Sequence, residues 1–149
     1  DDDAGAVFER AAALAAELLD EVLAAPSFEP QPEEGVTYAE KIEREERRLD
    51  PRRAAPEEER RIRALTPHVG AYAELEDGGR LGLRDAAAEK GARLESGELS
   101  TDVESGELRI GCAEGALRVG TVQPAGGRWM DASDYLRGNP GPARVAPPA

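Results

Sequence analysis

The chain has 149 residues and a mass of 15.9 kDa, room for one ordinary domain or a small domain with a tethered element, and too little for a large two-domain enzyme. Hydrophobic residues are 40% and aromatic residues 4%, so a modest core must rest on Leu, Val, Ile and Ala, and no apolar run approaches the roughly 18 residues that cross a bilayer. A formal net charge of -12 argues against nucleic-acid binding by the surface as a whole, and the lone Cys112 excludes an internal disulfide and a cysteine-built zinc site.

The charge is unevenly placed. Residues 1–40 hold eleven acids and one base, residues 41–63 seven acids and nine bases, and the remainder thirteen acids and nine bases, so the middle block alone is net positive. Asp1, Asp2 and Asp3 stand where a secretory leader would be basic, and the protein is expected to be cytoplasmic, with no membrane partner. Cys112 reads as a small buried strand residue.

In chain order, residues 4–24 place Val7, Phe8, Ala11, Leu14, Ala15, Leu18, Leu19, Val22 and Leu23 at spacings of three and four, which predicts an amphipathic helix with Asp3 as its N-cap. No second helix of comparable length follows to cover that stripe. From Ala25 to Tyr38 the run APSFEPQPEEGVTY holds Pro26, Pro30 and Pro32 and reads as an extended linker. A short polar segment then breaks at Asp50-Pro51. A helix is predicted from about Pro56, with Glu57, Glu58 and Glu59 at its positive end, Ile62 and Leu65 inward, and Pro67 as its stop.

Beyond Pro67 the period falls to two. Ala71, Ala73 and Leu75 alternate with Tyr72, Glu74 and Glu76, Asp77-Gly78-Gly79 supplies a turn, and Leu81 and Leu83 resume the pattern, which predicts a hairpin. Residues 85–96 read as a variable loop. Leu99, then Leu108, Ile110 and Cys112, a turn at Gly115, and Leu117, Val119 and Val122 predict further one-sided strands of a small barrel. Asp131 is placed to cap a closing helix, DASDYLRG, ended by Gly138, and residues 139–149 read as a disordered tail.

The sequence offers almost nothing toward an active site, since no acid–base pair stands out among the 31 carboxylates. His68 is the only histidine and lies in a loop, where it reads as an exposed or half-packed residue, so no triad and no histidine-built metal site is available. EDGGR and PAGGR lack the spacing of a phosphate loop. What remains is a candidate binding surface: Lys41, Arg44, Arg47, Arg48, Arg52, Arg53, Arg60, Arg61 and Arg63 suit phosphate, set against interleaved glutamates that make ordinary surface pairs with them. Arg128 beside Trp129 is a second candidate, with Trp129 read either as a nucleic-acid contact or as a cap on the barrel.

The segments TYAEKI, RLDPRRAAPEEERRIRALTPHVGAY and ALRVGTVQPAGGRWMDASDYLRG resemble, in order and spacing, the C-terminal part of bacterial methionyl-tRNA formyltransferases, over about residues 5–138. The resemblance implies an α+β fold: a small OB-like β-barrel with flanking helices, preceded by an amphipathic helix and an extended linker. It implies that residues 1–25 are the C-terminal helix of a missing Rossmann-like formyltransferase domain, 26–40 the Pro-rich linker and 41–138 the OB-like domain. Initiator methionyl-tRNA is the implied partner, and the chain is expected to be a monomer.

The same resemblance puts the catalytic residues upstream of Asp1, so none are expected here. No cofactor is expected in this chain either, because 10-formyltetrahydrofolate is the substrate of the missing domain. The tRNA contacts are expected from Lys41, Arg44, Arg48, Arg60, Arg63, Arg128 and Trp129. Glu40 and Gly127 stand where relatives commonly have a basic residue, and His68 where they commonly have tryptophan. Two other readings are an accessory domain of a sugar-amine formyltransferase and a standalone interaction module.

Overall fold

A computed structural model describes residues 2–102, 106–139 and 143–148. Helix α1 spans Ala4–Ala24, and the Asp3 carboxylate accepts from the Ala6 N–H at 2.8 Å, so the predicted N-cap forms. None of its residues is buried. Near its first turn the Gly5 N–H donates to the Thr66 carbonyl at 3.2 Å, and the Phe8 ring meets His68 edge-on at 5.6 Å. Residues 25–44 form no helix or strand and are exposed throughout.

After a short helical turn, Glu45–Arg47, the chain joins the folded body. The Leu49 N–H donates to the Tyr72 carbonyl at 2.8 Å and the Leu49 side chain is buried. Helix α2, Ala55–Leu65, has Pro56 in its first turn with Glu57 and Glu58, and buries Ala55, Glu58, Ile62 and Leu65 against the sheet. Pro56 is tolerated there because the first amides of a helix have no partner inside it.

Seven strands follow among the described residues: β1 Ala71–Glu74, β2 Arg80–Glu89, β3 Glu98–Asp102, β4 Glu107–Gly111, β5 Ala116–Pro124, β6 Met130–Asp131 and β7 Ala143–Arg144. They form one antiparallel sheet in the order β1-β2-β5-β4-β3-β7, with β6 on β5. The sheet curls until its two edges meet. An antiparallel bridge pairs Leu75 with Val145, the Glu76 N–H donates to the Arg144 carbonyl at 2.9 Å, and the Ala146 N–H donates to the Glu74 carbonyl at 2.8 Å. Helix α3, Ala132–Gly138, packs Ala132 and Leu136 into the body. Leu81, Leu83, Leu108, Ile110, Leu117, Val119 and Val122 fill the interior with no more than 1% exposure each.

The curl has a local cause in β2 and β5. Leu81 and Leu83 face inward, but the next inward pair is Ala86 and Ala88; on β5 the inward residues likewise step from Val119 to Val122. Both strands change parity at one point, where Asp85 takes a φ of 52° opposite Gly120. A Cβ on Gly120 would lie 3.2 Å from that of Asp85, tighter than most real contacts. Thr121 donates its hydroxyl to the Asp85 carboxylate across the break. Such an interruption bends a strand pair without shifting its register.

Four expectations are corrected. Residues 85–89 continue β2 instead of forming a loop: Ala86, Ala87 and Ala88 pair with Val119, Arg118 and Leu117, and tertiary pairing overrides the weak strand preference of alanine. The tail is not disordered at residues 143–148, because β7 pairs with β3 and Val145 is buried at 2% exposure; residues 140–142 and 149 of that tail lie outside the described residues. Tyr72 is on the outer face with Gly82, as the alternation implies, but is not solvated: Arg80 lies over its ring and its hydroxyl donates to the Arg44 carbonyl at 3.4 Å, which leaves it buried. Asp131 occupies the N-cap position of α3, but its side chain makes no capping hydrogen bond. Cys112 is buried as read, and burial pushes its thiol up to about 12.

Candidate nucleic-acid interface

The turn from α2 into β1 builds the site. The Val69 and Gly70 N–H groups both donate to the Leu65 carbonyl, at 3.1 and 2.8 Å, and Gly70 takes a φ of 77° that favours glycine. This leaves the carbonyls of Pro67 and Gly70 turned to side chains from elsewhere. Arg84 of β2 donates to the Pro67 carbonyl at 3.0 Å, and Nε of Arg47 donates to the Gly70 carbonyl at 3.0 Å.

Strand alternation supplies the rest. With Leu81 and Leu83 inward, Arg80, Gly82 and Arg84 emerge on the outer face of β2. Gly82 pairs with Tyr72 on one side and Gln123 on the other. A Cβ there would come 3.0 Å from the Trp129 ring, so the absence of a side chain at position 82 is what lets Trp129 lie across the strand. The Arg84 guanidinium carbon sits 3.9 Å from the centroid of Trp129, and that of Arg80 3.6 Å from the centroid of Tyr72. The Gln123 side-chain amide donates to the Gly127 carbonyl at 2.9 Å and holds the 124–127 turn beside them, with Arg128 exposed next to it.

These residues line a groove of about 520 Å³ that contains Arg47, Arg80 and Arg84 and, among the described residues, no carboxylate. In a chain with 31 acids that composition stands out, and none of the three arginines makes an ion pair among the described residues. A second groove holds Arg48, Arg52, Arg53 and Arg61, but with Glu45, Glu46 and Asp50 in its walls. There Arg52 pairs with Asp50 at 2.9 Å, and its guanidinium holds the Asp50 carboxyl below the usual carboxylate range. Arg61 pairs at 2.6 Å with the buried Glu58, whose carboxyl is pushed up by desolvation against the opposing pull of Arg61. A third groove sets Arg63 among Asp2, Asp3, Glu59 and Asp85.

The sequence-predicted residues are scattered relative to the acid-free groove. Trp129 lies in its wall and the exposed Arg128 adjoins it. Lys41 and Arg60 are exposed, on the linker side of the molecule and on α2 respectively. Arg44 is exposed and gives its carbonyl to Tyr72. Arg48 is engaged structurally, with Glu74 at 2.8 Å and the carbonyls of Ala146 and Pro147 at 2.9 Å each. Arg63 meets Glu59 at 3.5 Å one turn away on α2. Arg47 belongs to the arginine block expected to suit phosphate, though not to the named tRNA contacts, and Arg80 and Arg84 were not expected at all. The alternation of RLGLR carried the signal for Arg80 and Arg84, since inward leucines at 81 and 83 leave both arginines outward.

Taken together, a curled antiparallel sheet with flanking helices, consistent with an OB-like barrel, and a groove of arginines stacked on aromatic rings define a small α+β accessory domain. The chain belongs to the family described as formyl transferase, C-terminal domain, which matches residues 41–140. It is similar to the methionyl-tRNA formyltransferase of Sinorhizobium medicae (strain WSM419), 40% identical over 143 residues that cover 92% of this chain and 45% of that protein. The methionyl-tRNA formyltransferase of Halorhodospira halophila (strain DSM 244 / SL1) is 41% identical over 145 residues, covering 93% and 46%. The chain therefore spans about half the length of the curated relatives it matches, and the resemblance to their C-terminal part holds.

Among solved structures, HypX from Aquifex aeolicus in complex with tetrahydrofolic acid superposes with a TM-score of 0.61 at 21% identity, over 82% of this chain and 22% of that one. A multiply substituted variant of the same protein gives 0.63 at 20% identity, over 84% and 22%. At that identity the likeness shows the fold. No helix among the described residues is long and apolar enough to cross a membrane.

Proposed function

We propose that this chain is the tRNA-binding C-terminal portion of a methionyl-tRNA formyltransferase, a protein that uses 10-formyltetrahydrofolate to formylate the methionine amino group of initiator tRNA. The observation that carries the reading is the groove of Arg47, Arg80 and Arg84, free of carboxylates in a chain whose net charge is -12. Local positive charge of this kind attracts a phosphate backbone that the rest of the surface repels. Lys41, Arg60 and Arg128, all exposed, extend the contact.

The apolar stripe of α1 fits the same reading. Val7, Phe8, Leu14, Leu18, Leu19, Val22 and Leu23 are each more than half exposed, and in the full protein they pack on the preceding formyltransferase domain. That domain holds the folate and the reacting amine and performs the transfer; this portion positions the tRNA, as a monomer. The isolated chain is then inactive. Formyl transfer by the purified 149-residue protein alone, without an added catalytic domain, overturns that part.

Filter binding of initiator tRNA across a salt series tests the rest. Three groove arginines on phosphates give a slope of log K against log salt of about -2 to -3, and Lys41, Arg60 and Arg128 steepen it toward about -4 to -5. An absent signal, or one indifferent to salt, returns the chain to a non-nucleic-acid interaction module.

A further inference from the structure

Resting on the nucleic-acid reading above, we infer that Arg47 and Arg84 form a two-guanidinium clamp for one phosphodiester of RNA, held in register by the Pro67–Gly70 turn. Each arginine uses one N–H on a backbone carbonyl of that turn, Arg84 on Pro67 and Arg47 on Gly70, both at 3.0 Å. The two acceptors lie three residues apart in a segment closed by the Leu65 carbonyl, so a single short turn sets the spacing of both forks. A guanidinium has five donors in a fixed plane, and with Nε of Arg47 on Gly70 and a terminal nitrogen of Arg84 on Pro67, the donors left for an anion are those of the terminal nitrogens.

Arg84 is restrained twice, because its guanidinium also lies on the Trp129 ring at 3.9 Å. Its Nε is buried and has no hydrogen-bond partner, so the group is committed to the groove without being satisfied there. Arg47 reaches the same groove from the turn before the barrel, and a terminal nitrogen of it lies 3.8 Å from where a Cβ on Gly70 would stand. Side chains already held in one rotamer lose little entropy when an anion arrives.

The groove suits a chain of phosphates better than an isolated anion. Its border at residues 125–127 is exposed, and a Cβ on Gly126 would meet nothing within 4 Å, so a strand has room to enter and leave past Arg128. The two sources of such a phosphodiester, an unpaired strand and a helical stem, share this chemistry and are separated by experiment.

Trp129 is the only tryptophan, so its fluorescence reports on Arg84 directly. The 149-residue chain is titrated with a short unpaired RNA oligonucleotide, an RNA hairpin and inorganic phosphate, with tRNA filter binding in parallel. Saturable change with either RNA supports the clamp, and the tighter of the two identifies the source. Arg84→Lys and Arg47→Lys keep the charge and lose the fork; each is expected to weaken RNA binding about tenfold, with Arg137→Lys, on the exposed side of α3 beside Asp134, unchanged as the control and melting curves confirming that all three variants fold.

Lysine variants that bind like the parent overturn the clamp in favour of charge alone. Inorganic phosphate that matches RNA in affinity reduces the site to an adventitious ion only. Unmoved Trp129 emission with tRNA still retained on filters removes the clamp and leaves the functional reading intact; loss of both signals removes the two together.

Discussion

Helix α1 and the barrel are built from the same aliphatic residues and treat them in opposite ways. Every leucine of α1 is more than half exposed, whereas Leu81, Leu83, Leu108 and Leu117 are 1% exposed or less. Both elements satisfy their local rules: α1 has its cap and its periodic stripe, and the strands have their alternation. The difference lies in whether a second surface arrives. A helix acquires most of its stability from the face it buries, so α1 on its own is a well-formed element with most of its packing energy unrealised.

That contrast makes quantitative demands. The largest effect is expected from deleting residues 143–149, which removes β7, the buried Val145 and the hydrogen bonds that join Arg144 and Ala146 to the β1 end; urea unfolding should show a loss of about 4 kcal/mol or more. Leu117→Ala in the barrel should cost about 2–5 kcal/mol, while Leu18→Ala on α1 should fall within about 0.5 kcal/mol. Equal effects at the two leucines would break the comparison. Deleting residues 1–24 should shift the barrel's stability by less than about 1 kcal/mol, since among the described residues the attachment is confined to the start of α1, with the Gly5–Thr66 hydrogen bond, Gly5 close against Pro67 and the Phe8–His68 contact as its main parts.

The smallest effect concerns pH. Burial raises the Glu58 carboxyl above its ordinary 4.5, so between that value and the folded one the native state keeps a proton that the unfolded chain has released. Stability therefore falls as pH rises through this window, and Glu58→Gln should flatten the dependence. Asp50 acts in the opposite sense. Its carboxyl is lowered from 3.8 by Arg52, so its contribution is present above 3.8 and is lost as pH falls through the folded value. Urea midpoints taken from pH 3 to pH 7 for the parent and the Gln variant resolve the two; an unchanged slope in Glu58→Gln refutes the assignment of the upper limb.

Much of the fold was legible because its signals are local. The α1 stripe, Pro56 in the first turn of α2 and the alternating strands around Asp77-Gly78-Gly79 and Gly115 each sit within a dozen residues. The misses all depend on distant partners. AAAEK after Asp85 carries no strand signal of its own and becomes a strand because β5 lies beside it. Tyr72 is buried by Arg80 from the next strand and by the backbone of Arg44. The candidate site shows the same division: the arginine block was visible as composition, but whether an arginine faces a carboxylate or an open groove is decided by the fold. Arg48 is committed to Glu74 and the tail, while Arg84, five residues past a hairpin turn, is the one set on Trp129.

The meeting of Leu75 with Val145 also orders events in time. The two residues are about seventy positions apart, and the β1 edge is complete long before its partner has been synthesised. Leu49 covers that edge at Tyr72, but until β7 emerges from the ribosome the backbone at Glu74 and Glu76 is an unpaired template that other chains are able to join. The barrel is thus latched by the last of its described strands to be made, and a nascent chain stalled before Ala143 exposes a sticky edge that the folded barrel conceals.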